Sequence, residues 1–191
     1  MVRLTKSEAQ VILDTFFDEV DNARKYLSRN LQDEDHRMER LALIAGELMR
    51  PRTPVEFATW LVSAIGEALG AKAGITMVNE GTWRILGEWE QPQGLLESSL
   101  YCRAEAGRIT EITQEVIKPP SREMASLVHL GIPIFGEHAL VGLVLLDTVC
   151  SMRKGEEDLL LAMMGSAGVL LEQGIQLESV SRNDSLPKSN Q

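Results

Sequence analysis

The segment from Gly131 to Asp147 constrains the fold more than any other part of the chain. Two apolar runs, Ile132–Phe135 and Leu140–Leu146, are separated by four residues of the kind that close a β-hairpin. Pro133 cannot donate a backbone hydrogen bond, so we expect it at a strand start or at a sheet edge. The second run is apolar at nearly every position, which is typical of a strand with both faces covered. We therefore predict that this second strand is the central one.

The remaining patterns predict helices at both ends of the chain and strands between them. A first helix is predicted from about Lys6 to Leu31, with an apolar stripe that resumes from Met38 to Met49, and a second helix starts at Thr53 or Pro54 and stops at Gly70. Three strands follow, at Ala73–Val78, Thr82–Glu90 and Leu95–Arg103. A short helix at Gly107–Ile117, the hairpin and a last helix that opens at Glu156 complete the order. Whether the first helix runs through residues 32–36 stays open, because that stretch is polar but contains neither Gly nor Pro. The order indicates an α+β fold, a mostly antiparallel sheet with helices on one face and a long N-terminal helical extension.

The hairpin and the helix that follows it resemble the end of a GAF domain. The matching residues are Leu130–Ile134, Leu140–Leu146 and the acidic helix start Glu156–Asp158 followed by Leu159–Met164. The resemblance covers roughly Leu41 to Gln173 and implies a sensory or regulatory domain that binds a small molecule. It divides the chain into an extension at residues 1–36, a GAF-like domain at 37–178 and a polar tail at 179–191, which we expect to be disordered.

Charge and hydropathy exclude several classes of partner. The formal net charge of −9 and the pI of about 4.9 leave no dominant basic surface, so we expect no nucleic acid as partner. No apolar run reaches the roughly 18 residues that span a bilayer, so we expect no membrane insertion and a cytoplasmic protein.

The residue types that carry catalysis are sparse, and we expect no enzymatic activity. No phosphate-binding glycine loop, nucleophile elbow or paired histidine motif is present. The resemblance allows one catalytic alternative, a thiol-dependent methionine sulfoxide reductase that uses Cys102 and Cys150. It also leaves open whether His129 binds haem, whereas Arg103 after Cys102 speaks against a bilin. We therefore name no cofactor.

Ligand-binding candidates follow from how the sheet must be covered. The segment from Pro92 to Val128 is the remaining one that can cover the second face of the sheet, and it is short for the pocket-forming region of the family. Tyr101, Arg103 and His129 lie where this cover meets the sheet, so we predict that they orient a ligand. Trp83 and Trp89 share one face by period two and are further candidates. The alternative is a filled core under the cover.

The apolar stripes of the terminal helices exceed what one sheet face can bury, so we predict a homodimer through those helices. The module would then bind a small molecule or a signalling protein and pass the change through the terminal helices. The alternative is a structural protein-interaction module whose pocket is vestigial.

Overall fold

The computed structural model describes residues 36–117, 127–149 and 152–184. The chain forms two compact units, Met1–Glu39 and Arg40–Gln191, and the β-sheet lies in the second unit. The predicted extension before residue 36, with the question of helix continuity through residues 32–35, lies outside the described residues, as does Cys150.

The described part contains five helices and five strands. They are α1 (residues 36–47), α2 (Pro54–Leu69), β1 (Ala71–Asn79), β2 (Trp83–Trp89), α3 (Gln93–Leu96), α4 (Ser99–Glu105), β3 (Thr113–Ile117), β4 (Leu127–Phe135), β5 (Leu140–Thr148) and α5 (Lys154–Asp184).

The strands form one antiparallel sheet in the order β2-β1-β5-β4-β3. The predicted hairpin is β4 and β5, and β5 is the third of five strands, so the prediction of a central strand is confirmed. β3 pairs with β4 only from Leu127 to Gly131. Among the described strands, Pro133 therefore has no neighbour on the β3 side of β4, which is the edge environment that its missing N–H requires.

Helix α2 begins and ends where the sequence predicts. The Thr53 hydroxyl accepts a hydrogen bond from the backbone N–H of Glu56, and Glu56 accepts one from the backbone N–H of Thr53 at 2.9 Å. This backbone hydrogen bond is the main cause that lowers the pKa of Glu56. Gly70 ends the helix in the left-handed conformation, with φ of 65°.

The long helices α1, α2 and α5 pack on one face of the sheet, as the predicted α+β architecture requires. Their apolar side chains meet those of alternating strand positions, for example Leu61, Val144 and Leu171. Two buried threonines fix α2 on this face, because the Thr76 hydroxyl donates to the carbonyl of Ala58 and the Thr148 hydroxyl donates to that of Leu69. Such bonds satisfy polar atoms that burial would otherwise penalise.

The second face is covered by residues of the predicted covering segment, but with different local structure. The predicted strand Leu95–Arg103 is wrong, because the segment forms α3 and α4, and the Ser98 hydroxyl caps α4 by accepting from the N–H of Tyr101. The predicted helix Gly107–Ile117 is also wrong, since it is a loop followed by β3. The helical spacing of the apolar residues in this segment does not reflect a shared buried face. Ile109 is buried in the core from the loop, whereas Val116 is 62% exposed on β3.

Helix α5 is long and apolar enough, by length and composition alone, to cross a bilayer. The core helix of a soluble protein meets the same criterion, and α5 buries Leu160, Met164 and Leu171 on the sheet side. The helix continues to Asp184, so residues 179–184 are helical where the sequence predicted a disordered tail.

The small residues of α5 make room for a strand end. A Cβ on Gly168 would overlap the carbonyl of Phe135 at the end of β4, whereas a Cβ on Gly165 would meet nothing within 4 Å. Gly168 is therefore required for the close approach of α5 to the hairpin, and Gly165 is not.

We predict that Gly168→Ala lowers the free energy of unfolding by about 1–3 kcal/mol through overpacking. Gly165→Ala is the matched control on the same helix, and it should be neutral or stabilising by up to about 1 kcal/mol from helix propensity. Urea unfolding of both variants measures the difference. Equal stabilities would contradict the close approach.

Candidate functional site

Three titratable residues stand side by side on the covered second face of the sheet. In the strand register Glu115 of β3 pairs with His129 of β4, which pairs with Asp147 of β5. Their sequence neighbours Leu130 and Leu146 belong to the core under the long helices. Because side chains alternate along a strand, the three polar side chains point towards α4. Directly opposite residues have Cβ atoms about 5 Å apart, so the row is one cluster.

Helix α4 holds the first member of this row. The Arg103 Nη1 donates to Glu115 Oε1 at 2.7 Å, and the Ser99 hydroxyl donates to Glu115 Oε2 at 2.6 Å. Ser99 and Arg103 are four residues apart and therefore share a helix face. Both carboxylate oxygens of Glu115 are thus occupied by α4, which ties the cover to the edge strand.

The other two members have polar atoms without partners. His129 is only 5% exposed, and its Nδ1 is buried with no hydrogen-bond partner. Asp147 Oδ1 is likewise buried and has no partner. An unsatisfied buried polar atom costs about 1–3 kcal/mol, so these two atoms are positions at which a bound molecule would be stabilised. We call Glu115, His129, Asp147 and the two α4 residues Ser99 and Arg103 the polar corner.

The space beside the polar corner is filled. Leu100, Ala104 and Ile109 of the cover are fully buried against apolar side chains of β1 and β5. The filled core that the sequence left as an alternative therefore describes the apolar part of this layer. Two surface clefts lie elsewhere, one of about 290 Å³ between the β1–β2 turn and the end of α5, and one of about 120 Å³ beside Pro54 and Leu170.

Of the predicted ligand residues, the structure brings two together. Arg103 and His129 meet in the polar corner through Glu115, which neither periodicity nor motif singled out. Tyr101 is partly buried against the apolar cluster of the cover. Burial, and then a hydrogen bond with Glu105, raise the pKa of its hydroxyl. Asp147 was missed as well, although a carboxylate that directly follows an apolar strand run is a visible signal.

The prediction that Trp83 and Trp89 share a face is wrong. Trp83 packs on the cover side, whereas the Trp89 ring lies against Gly66 of α2 on the other side. The cause is a β-bulge, because Thr76 pairs with Gly87 and Met77 with Ile85, which leaves Leu86 as an extra residue. A bulge shifts the alternation of side chains by one. Trp83 therefore stays a candidate under the cover, and Trp89 lies in the helix-facing core.

The described residues offer no metal site, and they do not test thiol chemistry. Within the described ranges, no three His, Cys, Asp or Glu side chains are placed to hold a metal ion. Cys102 is exposed on α4, and its proposed partner Cys150 lies outside the described residues. The thiol-pair alternative is therefore untested.

No protein-family model matches the sequence, and no curated protein matches it. Solved structures do match in fold. The GAF domain of a protein assigned as a sensor histidine kinase from Pseudomonas syringae pv. tomato superposes with a TM-score of 0.59 at 14% identity, over 82% of this chain and 98% of that one. The GAF domain of an Acinetobacter phosphoenolpyruvate-protein phosphotransferase gives 0.54 at 12%, over 73% and 95%, and that of the Coxiella burnetii enzyme gives 0.54 at 15%, over 78% and 97%. The chain thus has a GAF-like fold, and the expected resemblance is confirmed at the level of fold.

We predict that Arg103→Met loosens the cover without unfolding the domain. The lost ion pair is partly exposed and should cost less than about 1 kcal/mol. Amide hydrogen exchange in α4 should become up to about fivefold faster, while exchange in β5 should stay unchanged. Arg108→Met, at an exposed position just after α4, is the control. Unchanged exchange in α4 would show that this ion pair does not hold the cover.

Proposed function

We propose that this chain is a non-catalytic regulatory module of the cytoplasm that binds a small polar molecule at the polar corner. The observation that carries the proposal is the buried Nδ1 of His129, which has no hydrogen-bond partner in a layer that is otherwise packed. Small-molecule sites combine mostly apolar walls with a few placed polar groups, and the cover layer has that composition. The GAF-like fold supports a sensory role, since one of the similar structures comes from a protein assigned as a sensor kinase.

The edge strand β3 supports a route from this site to the last helix. Glu115 on one face of β3 is held by α4, and its neighbour Gln114 points to the opposite face. The Gln114 side chain donates to Glu157 Oε1 at 3.0 Å and accepts from the N–H of Met152 at 2.9 Å. Glu157 lies in the first turn of α5, and Met152 lies two residues before the helix begins. A ligand that moves α4 would therefore shift β3 and, through Gln114, the N-terminal turn of α5.

The outer surface of α5 supports the proposed homodimer. Val169, Leu177 and Val180 are 38%, 69% and 58% exposed. At 100° per residue they fall on one side of the helix, opposite the side that packs on the sheet. A second copy of the same helix would cover this stripe, and the signal from the polar corner would then pass between the subunits.

The second candidate is a protein-interaction module in which the same stripe docks a signalling partner and the site beneath the cover is vestigial. The packed apolar cluster under α4 favours this reading. The two candidates differ in whether a small molecule binds the protein with an affinity that depends on His129.

We predict that a ligand found by a thermal-shift screen of metabolites binds at least tenfold more weakly to His129→Gln, because the ligand loses a buried hydrogen-bond partner. His138→Gln, in the exposed β4–β5 turn, should bind as the parent protein does. Titration calorimetry measures both. A ligand whose affinity is equal in the two variants would place its site elsewhere.

We predict that Val180→Glu converts a dimer to a monomer, since it buries a charge in the apolar interface. Val55→Glu is the matched control, because Val55 is 51% exposed on α2 and the substitution is the same. Light scattering measures the mass. A monomeric parent protein, or a dimer that survives Val180→Glu, would favour the interaction-module reading.

A further inference from the structure

We propose that the molecule bound at the polar corner is a small organic cation, an alkylammonium or alkylamidinium, whose N–H groups donate to Asp147 and His129. The inference rests on the proposed function and adds the chemical class of the ligand. It starts from the two buried atoms without partners, Asp147 Oδ1 and His129 Nδ1.

The charges of the polar corner favour a cation. Arg103 is engaged with Glu115 at 2.7 Å, so its charge compensates that carboxylate. Among the residues that the structure describes, no Lys, Arg or His nitrogen lies within 4.0 Å of the Asp147 carboxylate. A buried carboxylate oxygen is stabilised by a positive charge with hydrogens to donate. An anionic ligand would instead face two carboxylates and an arginine that is already paired.

The two atoms without partners, Asp147 Oδ1 and His129 Nδ1, require hydrogen-bond donors on the ligand. A carboxylate oxygen only accepts hydrogen bonds, and a neutral imidazole accepts through one of its two nitrogens. One ammonium or amidinium group has at least two N–H donors and can reach both atoms, because directly opposite strand residues have Cβ atoms about 5 Å apart. An ionised carboxylate has no hydrogen to donate to Asp147, and a phosphate would bring further negative charge next to it.

The side chains next to the two acceptors are apolar and closely packed. On the same face, Gly131 follows His129 by two positions and Leu145 precedes Asp147 by two. A Cβ on Gly131 would lie 3.3 Å from Ile109 and 3.4 Å from Leu100. The walls next to the two acceptors are therefore apolar and leave no free space for a carbon, so a short chain enters only if Ile109 and Leu100 of the cover shift away from β4.

Three matched probes of equal chain length test the class: propylamine, propanol and propionate at pH 7. The full chain carries labelled histidine, and two-dimensional NMR follows the ring signals of His129 during each titration. Propylamine should shift them saturably and at least tenfold more tightly than propanol, and propionate should not. The exposed His138 is the internal control, and its ring signals should not move.

Asp147→Asn removes the charge and keeps the shape, so it should weaken propylamine at least tenfold. Asp158→Asn, at an exposed position near the start of α5, makes the same change in net charge and should have no effect. The ranking of the three probes on the parent protein decides the question even if Asp147→Asn lowers stability. A His129 shift that is as strong with propanol or propionate would overturn the cation class and leave the site standing. No shift with any probe would contradict both.

Discussion

Burial of β5 on both faces is the constraint on which the rest of the fold depends. Leu143 and Leu145 face the cover, while Val144 and Leu146 face the long helices, so each layer must bring apolar surface to the same strand. The apolar run ends at Leu146, two residues before the strand does. In the row of Glu115, His129 and Asp147 the side chains that face the cover are polar and no longer apolar. The candidate site therefore lies where the apolar packing of the central strand ends.

The edge strand β3 shows how a short and partly exposed element can join two layers. Consecutive side chains of a strand point to opposite faces. Gln114 therefore contacts α5 on one face of β3, and Glu115 contacts α4 on the other. The bonds on both sides are charge-assisted or involve backbone groups, and they are directional in a way that apolar packing is not. A fixed geometry between the cover and α5 requires this kind of contact.

The sequence predicted the parts of the fold that depend on local chemistry. Thr53 and Gly70 mark the ends of α2, and the runs around Pro133 mark the hairpin, because capping and turn residues act within a few positions of themselves. It failed between Leu95 and Ile117, where apolar spacing is compatible with either period and the sheet decides which residues enter the core. The positions of Arg103 and His129 at the rim of the cover could be predicted from the sequence. That Glu115 lies between them follows from the register of β3 on β4, which single-sequence patterns do not encode.

The bulge at Leu86 has a consequence for the edges of the sheet. β2 is an outer strand, and an outer strand offers unpaired backbone groups to any other extended chain. An extra residue twists the strand and interrupts the regular spacing of those groups, so β2 is a poor template for a further strand. β3, at the opposite edge, keeps an unbroken register with β4 over all five of its residues and exposes Val116. Of the two outer strands that the structure describes, β2 is therefore the poorer template for an added strand.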